Sequence, residues 1–204
     1  MKKLKLLATG LIACGALLLA ACTASASNTP VKPAEPRSRD GIRLRNRVTL
    51  RNFKKIKISS AKGNSVKDVK RLFGKEADYH TKRLVLNKQV NAYTWNDVAG
   101  SGIGSCVVID FLHGHAVQKT ITGLRTRRPH TIDRERYAKV TTGTSSKDLV
   151  ETLGKPNTVT YTSLNGQVSE TWGYTSQLKG SGEAKCLFIL KNSQVVAKSQ
   201  AHLE

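Results

Sequence analysis

The sequence predicts an α+β protein made of two tandem repeats, each with two short helices packed on a four-stranded antiparallel sheet. The chain has 204 residues, 39% hydrophobic and 24% charged, a composition that fits a folded protein rather than a disordered one. Residues 65–75 match residues 145–155 at an offset of 80. Two further motifs recur in the same order: Phe53-x-x-Ile56 with Tyr137-x-x-Val140, and Tyr93-x-Trp95 with Trp172-x-Tyr174. These correspondences indicate an internal duplication.

Each repeat is expected to begin with two helices. The first helix is short, near residues 50–56 and 133–140, because apolar residues recur three positions apart there. The second begins at Ser65 or Ser145, and an aspartate follows each serine after three residues, which is the spacing of a capping box. It ends at a glycine, which readily takes the left-handed conformation that closes a helix. This motif therefore specifies structure rather than chemistry.

Four strands are expected after the second helix of each repeat. Asn165-Gly166 favours a two-residue hairpin turn, because both residues tolerate a positive φ angle. The glycine-rich segments 100–104 and 180–182 are expected to be loops between the second and third strands. The predicted strands lie near 78–86, 89–96, 105–112 and 116–123, and near 158–163, 167–175, 185–191 and 194–202.

The N-terminus has the pattern of a bacterial lipoprotein signal. Residues 1–5 are basic, residues 6–20 are apolar, and Leu19-Ala20-Ala21-Cys22 resembles a lipobox. Cys22 is therefore the expected lipid anchor, which would hold the mature protein on the extracellular face of the cell membrane. The predicted plan is a signal peptide at 1–21, a lipidated flexible basic linker at 22–47, a first repeat at 48–125 and a second at 126–204.

The formal net charge of +20 favours anionic partners. Because an exported protein rarely meets the genome, we expect anionic polymers of the cell wall or lipid headgroups rather than nucleic acid. The sequence shows no nucleophile with a partnered base and no repeated acidic pair, so an enzyme is not expected. No cofactor is expected, and the turn His113-Gly114-His115 offers too few ligands for a metal.

The repeated aromatic residues are the candidate binding surface. The two members of each pair share one face of their strand, where they form either the core under the helices or an exposed patch: Tyr93, Trp95, Trp172 and Tyr174. A basic patch is the second candidate surface: Lys54, Lys55, Lys57, Arg125, Arg127 and Arg128. Of the cysteines, Cys106 and Cys186 are interpreted as equivalent positions, and two buried strand thiols are favoured over a disulfide between the repeats.

The capped helix ending in Leu153-Gly154-Lys155-Pro156, followed by a strand with two alternating aromatic residues, resembles the β-lactamase-inhibitor-protein fold. More narrowly, residues 48–204 are similar to tandem BLIP-like domains of Gram-positive lipoproteins of unknown function. The resemblance implies a concave sheet of the kind with which the inhibitor family clasps an enzyme. It carries no inhibitory residue across, because the loops differ in length and composition.

These features together predict a lipid-anchored, non-enzymatic module of the cell surface that binds an envelope or extracellular protein through its tandem sheets. The alternative is a structural lipoprotein held electrostatically to anionic polymers of the cell wall. A β-lactamase inhibitor is a weaker alternative.

Overall fold

The computed structural model describes residues 47–204, so the predicted signal peptide, Cys22 and nearly all of the linker lie outside the described residues. The same order of two short helices and four strands occurs twice along this part of the chain. The helices are α1 (Leu50–Lys55), α2 (Val66–Phe73), α3 (Arg134–Lys139) and α4 (Ser146–Leu153). The strands are β1 (Tyr79–Val85), β2 (Lys88–Asn96), β3 (Cys106–Leu112), β4 (His115–Thr122), β5 (Thr158–Leu164), β6 (Gln167–Tyr174), β7 (Gly180–Lys191) and β8 (Gln194–Leu203).

All eight strands form one antiparallel sheet in the order of the sequence. The expected α+β class is therefore confirmed, although the strands make a single sheet rather than two separate ones. Strands β4 and β5 join the two halves through the pairs Gln118–Thr162 to Ile121–Val159. The expected loop at 180–182 is wrong, because β7 already begins at Gly180 and continues through an irregularity in its pairing with β8.

The helix termini follow the sequence closely. The hydroxyl of Ser65 accepts a hydrogen bond from the backbone N–H of Asp68, and the Asp68 carboxylate accepts one from the backbone N–H of Ser65. The hydroxyl of Ser145 accepts a bond from the backbone N–H of Asp148 in the same way. Gly74 ends α2 with a φ angle of 70°, a conformation that favours glycine.

Four hairpins of the sheet close over two-residue turns. The predicted turn at Asn165 and Gly166 has φ angles of 54° and 71°, as a type I′ turn requires. The other three hairpins also turn on two residues with positive φ: Leu86 and Asn87, His113 and Gly114, and Asn192 and Ser193. The length and type of each turn fix the register of the two strands that it joins.

Both pairs of helices cover the same face of the sheet, which we call the helix face. Residues paired directly across antiparallel strands point to the same side. Two hydrophobic cores on this face contain helix side chains, one around Phe53 and Phe73 and the other around Leu149 and Leu153. One row of the helix face crosses six strands: Trp95, Val107, Ile121, Val159, Trp172 and Phe188.

The two strand cysteines point to opposite faces of the sheet. Cys186 pairs with Tyr174, belongs to the second core and is a buried free thiol, and burial raises its pKa to about 11. Cys106 pairs with Asn96 on the opposite face and is disulfide-bonded. The expectation of two free thiols is therefore right for Cys186 and wrong for Cys106.

The alignment of these cysteines at an offset of 80 was one residue out of register. The aromatic pairs correspond at an offset of 79, which makes Val107, rather than Cys106, the counterpart of Cys186. In a strand, a shift of one residue moves a side chain to the other face.

No helix within residues 47–204 is long and apolar enough to cross a membrane.

Candidate protein-binding surface

The second aromatic residue of each pair is a core anchor. Trp95 and Tyr174 are fully buried on the helix face. The indole N–H of Trp95 donates to the carbonyl of Lys75 at 3.3 Å, and the hydroxyl of Tyr174 donates to the carbonyl of Gly154 at 3.1 Å. Burial raises the pKa of Tyr174, so this hydroxyl remains a donor. Each residue fixes the end of a capped helix to the sheet and is not available to a partner.

The first aromatic residue of each pair is only partly buried. Tyr93 stacks on His80 with ring centroids 5.7 Å apart and meets Phe111 edge-on at 5.4 Å. Trp172 lies at the margin of the second core, and its indole N–H donates to the carboxylate of Glu170 at 3.0 Å. The structure therefore leaves Trp172, with its neighbours on β5 and β6, as the accessible aromatic residue between the cores.

A narrow part of the helix face lies between the two cores. Tyr161 packs against the margin of the first core, with its ring 6.2 Å from that of Phe53. Glu170 is the residue paired with Tyr161 across β5 and β6, and burial, followed by the negative charge of Glu170, raises the pKa of Tyr161. We call Tyr161, Glu170 and Trp172 the inter-core strip. All three side chains are partly exposed.

A buried lysine, Lys119, packs against Tyr161 of this strip. The ammonium of Lys119 lies 5.1 Å from the ring centroids of both Phe53 and Tyr161, so it is held between two aromatic faces. It also donates to carbonyls at the C-terminal end of α1, the shortest bond being 2.8 Å to Ile56. Burial lowers the pKa of Lys119 to about 8. The lysine thereby connects α1, β4 and β5.

The predicted basic patch divides into exposed and buried parts. Lys54, Lys55 and Lys57 are exposed in and just after the last turn of α1, next to the carbonyls that Lys119 binds. Arg125 and Arg127 are exposed in the connection between β4 and α3. Arg128 is only 5% exposed and does not contribute to a surface patch, which corrects the sequence interpretation.

Arg128 instead anchors the connection between the halves. Its guanidinium donates to the carbonyls of Ser176 at 2.6 Å and Lys155 at 2.7 Å, and lies 5.1 Å from the ring centroid of Tyr174. It also donates to the amide oxygen of Asn157 at 2.9 Å. The amide nitrogen of Asn157 in turn donates to the carbonyl of Leu124 at 3.1 Å. The connecting segment is therefore held by buried hydrogen bonds.

A second set of polar contacts crosses the halves on the face opposite the helices. The fully buried carboxylate of Asp110 accepts two bonds of 2.6 Å from the guanidinium of Arg83. It also accepts a bond from the side-chain amide of Gln118, whose oxygen accepts one from the hydroxyl of Thr162. Thr120 and Thr160 lie 3.0 Å apart across the same junction. This chain links β1, β3, β4 and β5.

The comparison with protein families identifies the relatives of this architecture. The family model described as a domain of unknown function with a solved structure, DUF3862, matches residues 45–203. The chain belongs to the DUF3862 family. No curated protein matches the chain.

A solved structure shares the fold of this DUF3862 domain. It is a candidate beta-lactamase inhibitor protein from Streptococcus mutans, determined at 1.40 Å resolution. The two proteins are 24% identical, with a TM-score of 0.54, and the match covers 74% of this chain and 94% of that chain. This likeness confirms the BLIP-like fold and shows the fold alone.

The histidine motif of the DUF3862 domain belongs to a hairpin. His113 is the first turn residue between β3 and β4, with a positive φ angle, and the Nδ1 atom of His115 lies 3.1 Å from the carbonyl of Gly63. Within residues 47–204, no three His, Cys, Asp or Glu side chains are grouped so that they could hold a metal ion.

Tyr161 and Glu170 were not predicted from the sequence because neither repeats, whereas Lys119 recurs as Lys198 at the offset of 79 but stands in no motif that indicates a site. At the offset of 79, the counterpart of Tyr161 is Lys82 and that of Glu170 is Asn91. A search for repeated residues finds what both halves of the DUF3862 domain need for folding. The residues that differ between the two halves are found only when the aligned repeats are compared position by position.

Proposed function

We propose that this member of the DUF3862 family is a lipid-anchored, non-enzymatic protein of the cell surface that binds another protein through its sheet. The proposal keeps the plan of a signal peptide at 1–21, a lipidated linker at 22–47 and tandem BLIP-like repeats at 48–125 and 126–204. Support for the repeats comes from paired contacts, since Trp95 and Tyr174 hold corresponding helix ends.

The inter-core strip is the observation that carries the binding proposal. Tryptophan and tyrosine dominate the energetics of protein interfaces, because they bury large areas at a small cost in conformational entropy. Here Trp172 and Tyr161 are partly exposed next to the carboxylate of Glu170, where the margins of the two cores meet the inter-core strip. The exposed Lys54 and Lys55 lie on α1, the helix whose Phe53 ring packs against Tyr161 of the strip.

Replacing Trp172 tests the binding surface. Crosslinked partners should be recovered from intact cells with the wild-type protein at moderate salt and lost with Trp172→Ala. Tyr79→Ala is the matched control, because Tyr79 is 59% exposed at the outer edge of the sheet, away from the strip. Equal recovery of the same partner by the wild-type and Trp172→Ala proteins would contradict the proposal, provided that both have the same circular dichroism spectrum.

The lipid anchor is supported by the lipobox-like sequence and is tested separately. Wild-type protein should incorporate labelled palmitate, and Cys22→Ala should not, whereas Cys186→Ala should be labelled normally because Cys186 is buried in the second core. Palmitate on Cys22→Ala would contradict the anchor.

The charge of the chain favours a second candidate, a structural protein held electrostatically to anionic polymers of the cell wall. The exposed Lys54, Lys55, Lys57, Arg125 and Arg127 would contribute to this attraction. Binding to purified walls should then weaken steeply as salt is raised from low to physiological concentration. Binding whose strength does not change with salt would argue against this second candidate.

The Streptococcus mutans relative adds β-lactamase inhibition as a weaker alternative, which a direct inhibition assay tests.

A further inference from the structure

The outer edge of β8 is an incomplete copy of the junction between β4 and β5. Lys198 on β8 corresponds to Lys119 on β4, and both lysines contact the first helix of their half. Lys198 donates to the carbonyl of Tyr137 at 2.9 Å and lies 4.2 Å from the ring centroid of that residue. These contacts reproduce those that Lys119 makes with the carbonyl and ring of Phe53.

The two lysines differ in what lies on their other side. Lys119 is paired across the junction with Tyr161, whose ring completes a sandwich of two aromatic side chains around the ammonium. Strand β8 is the last strand of the sheet among the described residues, so within them Lys198 has an aromatic ring from α3 and none from a neighbouring outer strand. Within residues 47–204, the side of β8 away from β7 has no strand partner between Ala197 and Gln200.

In both halves, the first residues of this edge already make backbone hydrogen bonds to a neighbouring segment. In β8, Val195 exchanges backbone hydrogen bonds with Gly143 and Thr144, and Ser145 forms an isolated bridge to Gln194. In β4, Ala116 exchanges equivalent bonds with Ser59 and Asn64. Beyond this point β4 receives β5, whereas β8 receives no described strand. The two edges therefore begin with the same backbone pairing, but among the described residues only the edge of β4 continues with a paired strand.

We propose that the edge of β8 from Ala197 to Gln200 accepts an extended strand of a partner protein that places an aromatic side chain opposite Lys198. Edge strands present unpaired N–H and C=O groups, and addition of a strand satisfies them. The internal junction defines the required pattern, in which an aromatic residue flanked by threonines faces the lysine. This surface is separate from the inter-core strip and does not depend on it.

A second copy of the chain does not fit this edge. Such a copy offers two edge strands, β1 and β8. In the register of the internal junction, β1 would place Lys82, which stands where β5 has Tyr161, opposite Lys198, and a twofold pairing of β8 centred on Lys198 would place the two lysines opposite each other. Like charges opposite each other on neighbouring strands are destabilising. The occupant is therefore a foreign strand with an aromatic residue at that position.

A peptide copied from β5 tests the proposal. The labelled peptide Thr-Val-Thr-Tyr-Thr-Ser-Leu should bind the full chain and protect the amides of 197–200 from hydrogen exchange. The same peptide with lysine in place of tyrosine should bind about tenfold more weakly, because the cation–π contact is replaced by repulsion. In the protein, Lys198→Gln should weaken binding to a similar degree. Lys119→Gln, the matched control at the filled junction, should not.

Three results would overturn the proposal: equal binding of the tyrosine and lysine peptides, protection of β1 rather than β8, or no binding at millimolar peptide. Since Lys198 also contacts α3, the peptide pair serves as the test that leaves the protein unchanged. The Lys198→Gln result counts only alongside it, with circular dichroism to verify the fold.

Discussion

At the scale of single residues, Lys119 is a buried charged group with a strongly lowered pKa. Desolvation lowers its pKa from 10.5 to about 8, because the ammonium is enclosed by rings and carbonyls. Between these two values the unfolded chain binds a proton that the folded chain has lost. The free energy of unfolding therefore rises with pH in this interval.

This linkage gives a prediction for the stability of the protein as a function of pH. From about pH 7 to about pH 9, the urea midpoint should rise in the wild type and stay flatter in Lys119→Met, which has no group to titrate. The range stops there because the raised pKa values of Cys186 and Tyr174 have the opposite effect at higher pH. Parallel curves for the two proteins would show that Lys119 titrates normally.

Two arginines show why residue type does not predict exposure to solvent. The sequence placed Arg128 with the solvent-facing cations because it lies in a basic run. The structure buries it beside Tyr174 because its donors meet the carbonyls of Ser176 and Lys155 and the amide oxygen of Asn157. Arg83 likewise pairs with a buried acid that lies 27 residues further along the chain. These partners are distant in sequence, so no local pattern reveals them.

At the scale of secondary-structure elements, the two capped helices make a matched pair. Ser65→Ala and Ser145→Ala should each lower the free energy of unfolding by about 1 kcal/mol, because each removes an acceptor for a backbone N–H. The exposed Ser60→Ala is the control and should have a much smaller effect. Chemical denaturation measures all three. A loss for Ser60→Ala as large as for the others would show that the caps contribute little.

Most elements were predictable from sequence because their signals are local. Capping serines, closing glycines and the Asn-Gly turn specify structure within a few residues, and the helices and strands lie close to their expected positions. The start of β7 was missed because pairing with β8 extends a glycine-rich segment that has no strand pattern of its own. The faces of the two cysteines were missed because the alignment slipped by one residue, and Tyr161 and Glu170 of the inter-core strip were missed because they do not repeat.

At the scale of the whole molecule, the charges on the outer strands should determine whether copies associate. Lys82→Tyr gives β1 the residue that β5 has at the internal junction, so β1 of one molecule should then pair with β8 of the next. Sedimentation velocity should show a monomeric wild type and concentration-dependent association of Lys82→Tyr. Lys88→Tyr adds an aromatic residue to β2, away from the edge, and should stay monomeric. A monomeric Lys82→Tyr protein at high concentration would contradict this prediction.

The order of the strands has a consequence for the folding of the chain. Every strand pairs with its neighbour in sequence, and four of the seven pairings close over two residues. The contact order is therefore low for a sheet of this size, and hairpins are expected to form first. Only the pairing of β4 with β5 spans a long connection, which contains α3 and α4. Since Tyr161 meets Phe53 and Lys119 across that pairing, the proposed binding surface should be assembled late, when the two halves dock.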